Sequence, residues 1–311
     1  MIVTLVYCTC PIVGLVAYNY FKSSMSPLYS FLLAIFLAYI PTYSITGHLS
    51  KHGGWKWRWL QTHPRNSFFK RLLGASINLE EKLDNEKQYI FCNFPHGTCS
   101  VNHMLTMTDC CEMLTKHHTG DRRDLAASVL FLIPVIKEIL LFLGCVDASS
   151  YTCHYNLKRG RSILIFIGGE KEQLMTEPGN HKIYLRSRKG FVKLALQYGC
   201  DLIPMYAFGE NEVYHTSRFA EGFRSWLQHN FKLGIPIFFG YWGVPFGLVP
   251  KKVEIGLEIG KPIKVTKFEK DKITNKDIDA LHETFMKEMI RLFDRTKAKH
   301  GVDAKTKLEI L

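Results

Sequence analysis

The first 79 residues of the chain contain no aspartate or glutamate. Two uncharged, mainly apolar runs lie among them, at residues 2–21 and 27–50, with only five residues between them. A helix needs about 20 apolar residues to cross the ~30 Å hydrocarbon core of a bilayer, and each run is long enough. We therefore predict a membrane-embedded helical hairpin over residues 1–50. A signal peptide and a helical hairpin buried in a protein core are the alternatives.

The segment after the second run combines aromatic and basic side chains. Residues 51–59 read Lys-His-Gly-Gly-Trp-Lys-Trp-Arg-Trp, and six basic residues lie between Lys51 and Arg71, against one in the loop between the two runs. Tryptophan favours the headgroup level of a bilayer, and basic residues are enriched on its cytosolic side. We therefore expect residues 51–311 to form a cytosol-facing domain. A solvated basic loop is the alternative for this segment.

Composition narrows the class of protein. Hydrophobic residues make up 47% of the chain, which is enough for a packed core and excludes a disordered protein. The formal net charge of +12 indicates an anionic partner, and the two uncharged runs favour a membrane or a phosphorylated substrate over nucleic acid. The nine cysteines are odd in number and form no C-x-x-C pair, so we predict neither a disulfide framework nor a metal site.

Residues 51–311 show the alternation of a single α/β domain. Four short apolar runs predict buried strands, at residues 89–94, 162–167, 201–207 and 253–259. Helical periodicity lies between and after them, at residues 191–197, followed by Gly199, and at residues 278–292. Strands that alternate with helices predict a mostly parallel sheet flanked by helices.

Residues 234–250 form another uncharged stretch, rich in aromatic side chains. Its four glycines and three prolines disfavour a transmembrane helix. Two interpretations remain open for it. The stretch lines an acyl-chain channel or dips into the near leaflet, or it is a buried aromatic loop of the core.

Three of the predicted strands end at unusual residues, and ligand sites in parallel sheets form where strands end. The first strand leads into Phe94-Pro95-His96-Gly97, the second into Gly168-Gly169-Glu170-Lys171-Glu172, and the third into Phe208-Gly209-Glu210-Asn211. Histidine suits general base catalysis near neutral pH. The basic segment 186–189 precedes a predicted helix and suits phosphate binding. A turn without a catalytic role is the alternative for each segment taken alone.

Taken together, these segments resemble the type 2 diacylglycerol acyltransferases, with the monoacylglycerol and wax-ester acyltransferases beside them. The resemblance spans about residues 53–302. Its blocks are, in chain order, Gly168-Gly169-x-x-Glu172, Pro178-Gly179, Arg186-x-Arg188-Lys189-Gly190-Phe191, Leu202-x-Pro204 and Phe208-Gly209-Glu210-Asn211. One departure is Phe94, which stands at the first histidine of the family's His-Pro-His-Gly turn, so His96 alone is carried over.

The resemblance implies a glycerolipid acyltransferase-like fold and transfer of an acyl group from acyl-CoA to diacylglycerol. Acyl-CoA is then a co-substrate, and no cofactor is implied. His96 would be the general base, Glu172 would hold its ring in the reactive tautomer, and amides near Gly97, at the start of the next helix, would face the oxyanion. The implied substrate-binding residues are Phe94, Pro95, Gly97, Gly168, Gly169, Arg186, Arg188, Lys189, Gly190 and Asn211, of which the three cations would meet the CoA phosphates.

Other functions remain open at this point. A monoacylglycerol or wax-alcohol acyltransferase would use the same chemistry, and a non-catalytic lipid-binding membrane protein would not need His96. A lysophosphatidate acyltransferase is disfavoured, because Val101 stands where that family has its aspartate. The resemblance also implies a multi-pass protein of the endoplasmic reticulum membrane, with lipid droplets as a further location and membrane lipids as partners. No oligomeric state is indicated.

Overall fold

The structure, a computed structural model, describes residues 2–22, 25–217, 222, 226, 237–241, 243 and 249–311. Most of the uncharged stretch 234–250 lies outside these residues, so both of its interpretations stay predictions.

The chain begins with two long helices, α1 (Ile2–Phe21) and α2 (Pro27–Lys51), which match the two apolar runs. They pack against each other, and a Cβ added at Gly14 of α1 would lie 3.3 Å from the Cβ of Ala38 on α2. Among the described residues, α2 is the one helix long and apolar enough to cross a membrane. The apolar helical segment described within α1, Pro11–Phe21, is too short to do so by itself. The helices are therefore confirmed, and their membrane insertion stays a prediction.

A seven-stranded sheet lies at the centre of the remaining chain. The described strands are, in chain order, β1 (Ser76–Leu79), β2 (Tyr89–Phe94), β3 (Arg122–Ala126), β4 (Cys145–Asp147), β5 (Ser162–Phe166), β6 (Lys182–Ile183), β7 (Asp201–Phe208), β8 (His215–Ser217), β9 (Ile237–Phe239), β10 (Gly256–Ile259) and β11 (Glu309–Ile310). The spatial order of strands in the large sheet is β1, β10, β7, β2, β5, β3, β4. Two further pairs, β6 with β11 and β8 with β9, lie outside it.

The large sheet is mixed but mostly parallel. Every neighbouring pair in it is parallel except β7 with β10, so β1 and β10 run against the other five strands. All four predicted strands are confirmed, although the last is shorter than expected and begins at Gly256. The sequence analysis missed β1, β3 and β4.

Helices cover the sheet on its two faces. The described α-helices of this domain are α3 (Arg58–Gln61), α4 (Ser67–Leu72), α5 (His103–Met107), α6 (Ile136–Phe142), α7 (Ser150–Leu157), α8 (Gly169–Leu174), α9 (Gly190–Tyr198) and α10 (Asn275–Thr296). Phe191 of α9 and Phe285 of α10 pack with Ile90 and Phe94 of β2 in one core cluster, while Phe91 of the same strand belongs to a second cluster on the opposite face.

The two predicted helices are confirmed, the first with its glycine cap and the second longer at both ends than predicted. α9 ends at Gly199, which adopts a φ of 70°, the left-handed conformation of a glycine cap. α10 starts with a capping box, in which the Thr274 hydroxyl accepts the N–H of Asp277 and the Asp277 carboxylate accepts the N–H of Thr274. These caps set the C-terminus of α9 and the N-terminus of α10.

Candidate active site

The candidate site lies at the carboxyl ends of three adjacent strands. β2 pairs with β5 on one side and with β7 on the other, and all three run parallel. The turn after β2 carries His96, the helix after β5, α8, carries Glu172, and the turn after β7 carries Glu210. The sheet therefore brings three separate segments of sequence to one edge, as expected for a ligand site in a parallel sheet.

Glu172 holds the backbone of the histidine turn. Its Oε2 accepts the N–H of His96 at 2.7 Å, and its Oε1 accepts the N–H of Tyr184 at 3.0 Å. A Cβ on Gly168 would lie 2.4 Å from Cδ of Glu172, so only glycine lets the carboxylate reach this position. The structure contradicts the expected contact of Glu172 with the His96 ring, because the carboxylate bonds to main-chain N–H groups and ring Nδ1 lies against the carbonyl of Gly97. Glu172 is a positioning residue.

Glu210 holds the same turn from the side of β7. Its Oε1 accepts the N–H of Val101 at 2.8 Å, and its Oε2 accepts the N–H of Asn102 at 2.7 Å. Gly97 has a φ of 63°, and a Cβ there would lie 2.4 Å from Oε1 of Glu210. The turn thus needs glycine at this position both for its conformation and for the approach of Glu210.

Side-chain amides complete the support of the turn. Asn102 donates to the carbonyl of Pro95 at 3.2 Å, and Gln173 donates to the carbonyl of Thr98 at 2.7 Å. Asn93, at the end of β2, donates to the side chain of Asn102 at 3.1 Å. The side chains of Glu172, Glu210, Asn102 and Gln173 therefore hold the backbone between Pro95 and Asn102, and this fixes the position of His96.

The two buried carboxylates have unusual acidities. Burial raises the pKa of Glu172 to about 7 and that of Glu210 to about 8, although the main-chain N–H groups that they accept act in the opposite direction. Both groups therefore change charge in the physiological range. Such shifts are typical of functional sites but also occur in structural networks.

The His96 ring is held by the carbonyl of the next residue. Nδ1 lies 2.9 Å from the carbonyl oxygen of Gly97, which can only accept, so Nδ1 carries the proton and Nε2 has the free lone pair. Burial lowers the pKa of His96 to about 4, so the ring is neutral at pH 7. The hydroxyl of Ser100 lies 3.2 Å from each ring nitrogen. The Gly97 carbonyl therefore sets the tautomer of the His96 ring, a role that we had expected of Glu172.

A second buried network lies behind the His96 ring. The Phe166 ring separates His96 from His103, with centroid distances of 5.4 Å and 5.0 Å. Asp124 Oδ2 lies 3.3 Å from His103 Nε2, and Asp124 Oδ1 accepts from Arg122 Nε at 2.7 Å. Burial would raise the pKa of Asp124, but Arg122 and His103 beside it hold this pKa well below its usual range. We did not predict this network from the sequence.

The three predicted CoA-binding cations lie in different environments. Arg188 donates to the carbonyl of Gly168 at 3.3 Å, which places it beside the histidine turn. Lys189 forms an exposed ion pair with Asp279 of α10 at 2.6 Å. Arg186 is exposed, and it donates to the carbonyl of Ile310 at 3.2 Å. Only Arg188 is brought next to the candidate site, and the other two lie on the surface that flanks it.

Two of the predicted substrate-binding glycines begin helices in the structure. Gly169 is the first residue of α8, with a φ of 56°, and Gly190 is the first residue of α9. Gly190 also lines a shallow groove with Lys189, Lys193 and Asp279. This groove is open to solvent and basic on one side.

Three of the predicted substrate-binding residues, Phe94, Pro95 and Asn211, are buried in the structure. The Phe94 side chain is fully buried and packs against Phe285, with ring centroids 6.4 Å apart, so it belongs to the core and does not face a substrate. Pro95, which follows it in a cis peptide bond, is buried as well. The side chain of Asn211 donates to the carbonyl of Asn180 at 2.7 Å and holds that loop.

A further correction concerns the amides proposed to face the oxyanion. The next helix, α5, begins at His103 and not at Gly97. The N–H groups of Val101 and Asn102, which lie closest to that helix, are both bonded to Glu210. The sequence analysis assigned no role to Glu210. The available signal was an acidic residue just after a buried strand.

Comparisons with known proteins decide the family. The family model described as diacylglycerol acyltransferase matches residues 26–311. The chain belongs to the diacylglycerol acyltransferase family. Its resemblance to that family, inferred from the blocks around His96, Glu172 and Arg188, is therefore confirmed.

Curated members of the family are similar over most of their length. Human diacylglycerol O-acyltransferase 2 is 34% identical over 272 residues, which cover 84% of this chain and 70% of that protein. Diacylglycerol O-acyltransferase 2A of Umbelopsis ramanniana is 30% identical over 303 residues, 94% of this chain and 84% of that protein. Mouse 2-acylglycerol O-acyltransferase 1 is 28% identical over 283 residues, 86% of this chain and 83% of that protein. No solved structure matches the chain.

Proposed function

We propose that this family member transfers a fatty acyl group from acyl-CoA to the free hydroxyl of diacylglycerol and so forms triacylglycerol. The observation that carries the proposal is the neutral His96 ring, with Nδ1 bonded to the Gly97 carbonyl and Nε2 left as the proton acceptor. The names of the relatives support the choice of diacylglycerol as the acceptor.

The geometry fits direct attack of the acceptor on the thioester. Nε2 of His96 takes the proton of the acceptor hydroxyl as its oxygen forms the new bond to the thioester carbonyl carbon. The tetrahedral intermediate then breaks its carbon–sulfur bond, and the CoA thiolate leaves with the electron pair. The imidazolium returns its proton to the thiolate, which restores neutral His96 for the next turnover.

The acceptor is tested with a panel of lipid alcohols. Membranes that carry the chain would receive labelled acyl-CoA with diacylglycerol, monoacylglycerol or a long-chain alcohol, and the products would be separated by lipid class. Triacylglycerol as the main product supports the proposal. Preferred use of monoacylglycerol would favour the second candidate, which the match to mouse 2-acylglycerol O-acyltransferase 1 supports. No product with any acceptor would favour a non-catalytic lipid-binding protein.

The CoA phosphates provide one prediction. We propose that Arg186, Arg188 and Lys189 bind them, and Lys189→Ala is the cleanest test because its side chain is exposed and pairs with Asp279 across the surface. Hydrogen bonds to charged groups contribute about 1.5–3 kcal/mol, so the apparent KM for acyl-CoA should rise by about 10- to 150-fold, with kcat nearly unchanged. Initial rates at varied acyl-CoA give both constants.

Two further variants complete this test. Lys182→Ala removes a lysine of similar exposure that pairs with Glu309, and it should leave the KM unchanged. Arg188→Ala should also raise the KM, but it removes the hydrogen bond to Gly168 and is expected to lower kcat too. A normal KM for both Lys189→Ala and Arg188→Ala would move the CoA site elsewhere.

Membrane attachment provides another prediction. We propose that residues 1–50 are embedded in the endoplasmic reticulum membrane, that the chain passes it more than once, and that residues 51–311 face the cytosol. Lipid droplets are a further proposed location. Alkaline carbonate and ~1 M salt, which shortens the Debye length to about 3 Å, should both leave the protein in the membrane pellet. Release into the supernatant by either treatment would refute the embedded hairpin.

A further inference from the structure

A second apolar surface lies next to α2. Residues 128–142, which end with α6, contain only two charged residues, Lys137 and Glu138. Several large apolar side chains of this 128–142 segment are 36–66% exposed: Val129, Leu132, Ile133, Val135, Ile136 and Ile139. Contiguous apolar exposure of this kind marks an interaction surface.

One end of the 128–142 segment lies beside the tryptophan-rich flank of α2. The ring of Phe142, at the end of α6, contacts Trp55 and Trp57 with centroid distances of 5.1 Å and 5.7 Å. Tryptophans that follow a membrane helix settle at the headgroup level. Phe142 would then lie at that level as well, and the rest of the segment must run either into the membrane or away from it.

The contacts of the 128–142 segment show that the segment runs along α2 toward the middle of that helix. Tyr43 donates its hydroxyl to the carbonyl of Leu132 at 2.9 Å, and the hydroxyl of Tyr39 accepts the N–H of Val135 at 3.0 Å. Tyr39 precedes Lys51, the last residue of α2, by 12 positions. At a rise of 1.5 Å per residue this is about 18 Å along the helix, roughly the middle of a bilayer if α2 spans it.

The same hydrogen bonds make this depth compatible with hydrocarbon. Irregular backbone within a membrane requires partners for its polar groups, because lipid supplies none. Tyr43 supplies such a partner to the carbonyl of Leu132, the last residue of a 3₁₀ helix (Ser128–Leu132), and Tyr39 supplies one to the N–H of Val135, just before α6. The outer side chains of α2 nearby, Ile40 among them, are also apolar and exposed, so the two surfaces are continuous.

The one cation of the segment points inward. Lys137 is 0% exposed, and its ammonium donates to the hydroxyls of Thr42 at 2.6 Å and Thr46 at 3.2 Å. The ammonium also lies 3.7 Å from the centroid of the Tyr43 ring and 3.3 Å from Oε1 of Glu138. Charged residues at membrane depth are paired and turned away from lipid in this way.

We propose that the 128–142 segment enters the same leaflet as the C-terminal half of α2 and contacts phospholipid acyl chains through its apolar side chains. The proposal rests on the membrane insertion of α2 proposed above. Lys137 and the two tyrosines fasten the segment to α2, so the acyltransferase domain is held at a fixed depth against the bilayer. The candidate site is then carried by a domain that is itself partly embedded.

The test uses the full chain in phospholipid vesicles that contain a lipid with a diazirine in its acyl chain. Light converts the diazirine to a carbene that labels only groups within the hydrocarbon, and mass spectrometry locates the label. We expect label on α2 and on Leu132, Val135 and Ile136. The peptide with Ile290 of α10, which is 40% exposed, is the internal control and should stay unlabelled.

The outcomes separate this proposal from the one on which it rests. Label on α2 but no more on residues 128–142 than on the Ile290 peptide would overturn the proposal and leave the membrane helix intact. Absence of label from α2 as well would overturn both. The variant Leu132→Asp should lose label from the segment and keep it on α2, whereas Ile290→Asp should change neither. Unchanged labelling of the segment in Leu132→Asp would also contradict its insertion.

Discussion

Replacing His96 by alanine is expected to reduce acyl transfer by about 10²–10⁴-fold, the usual contribution of general base catalysis. The ring has its proton on Nδ1 and a lone pair on Nε2, and no other described side chain at this edge of the sheet offers a neutral imidazole in the same position. The measurement is formation of labelled triacylglycerol by membranes, normalised to the amount of protein. Accumulation in membranes should stay normal, because the bonds from Glu172 and Glu210 go to the main chain of the turn.

Ser100 supplies the control that identifies the route. Its hydroxyl lies 3.2 Å from Nε2 of His96, the distance expected for a serine nucleophile activated by a histidine. Direct attack by the acceptor does not need this hydroxyl, so Ser100→Ala should keep transfer within a few-fold of wild type. A loss as large as that of His96→Ala, together with a labelled acyl-enzyme, would contradict direct attack. Wild-type activity in His96→Ala itself would refute the general base.

The strands of the sheet differ in how visible they are in the sequence. β2 was predicted with its exact ends, because all six of its residues are buried and it is bounded by a turn. β3 was missed, because it reads Arg-Arg-Asp at its start and resembles a solvated loop. Those charges are buried only because Arg122 pairs with Asp124 and Arg123 donates to the carbonyl of Gly53 at 2.6 Å. Such pairing depends on tertiary contacts that no periodicity reveals.

The candidate site shows the same limit at the level of atoms. The rule that sites form at the carboxyl ends of parallel strands correctly brought the turns of His96, Glu172 and Glu210 together. The rule does not say whether a carboxylate reaches a ring or a main-chain N–H, because that choice depends on the local geometry of each turn. The sequence analysis therefore gave Glu172 the ring-orienting role that the structure gives to the Gly97 carbonyl.

Substitution of Glu172 by glutamine is expected to reduce transfer by about 10²-fold, the loss that a shift of about 1 Å can cause in a reacting group. Glutamine keeps one acceptor oxygen but turns an NH₂ group toward either the N–H of His96 or that of Tyr184, where the carboxylate accepted both. One main-chain N–H loses its partner, and the histidine turn moves. The loss should appear in kcat more than in the KM for acyl-CoA, since the change reaches the base and not the phosphate contacts.

The matched control is Glu170→Gln on the same helix. Glu170 is partly exposed, so this change should stay within a few-fold of wild type, or about 1 kcal/mol. Equal losses in both variants would indicate a general effect on α8, and normal activity in Glu172→Gln would leave Glu210 as the main support of the turn.

The pH dependence of stability distinguishes positioning by a buried carboxylate from a neutral contact. Burial raises the pKa of Glu172 from 4.5 to about 7, so between these values the folded protein binds more protons at this group than the unfolded chain does. Its contribution to stability therefore decreases as the pH rises from about 4.5 to about 7 and stays constant above. Glutamine cannot ionise, so Glu172→Gln should lose less thermal stability than wild type when detergent-solubilised protein is moved from pH 5 to pH 8. An identical pH dependence in the two proteins would mean that Glu172 does not ionise in this range, and the turn would then be held by a carboxyl group whose charge plays no part in placing His96.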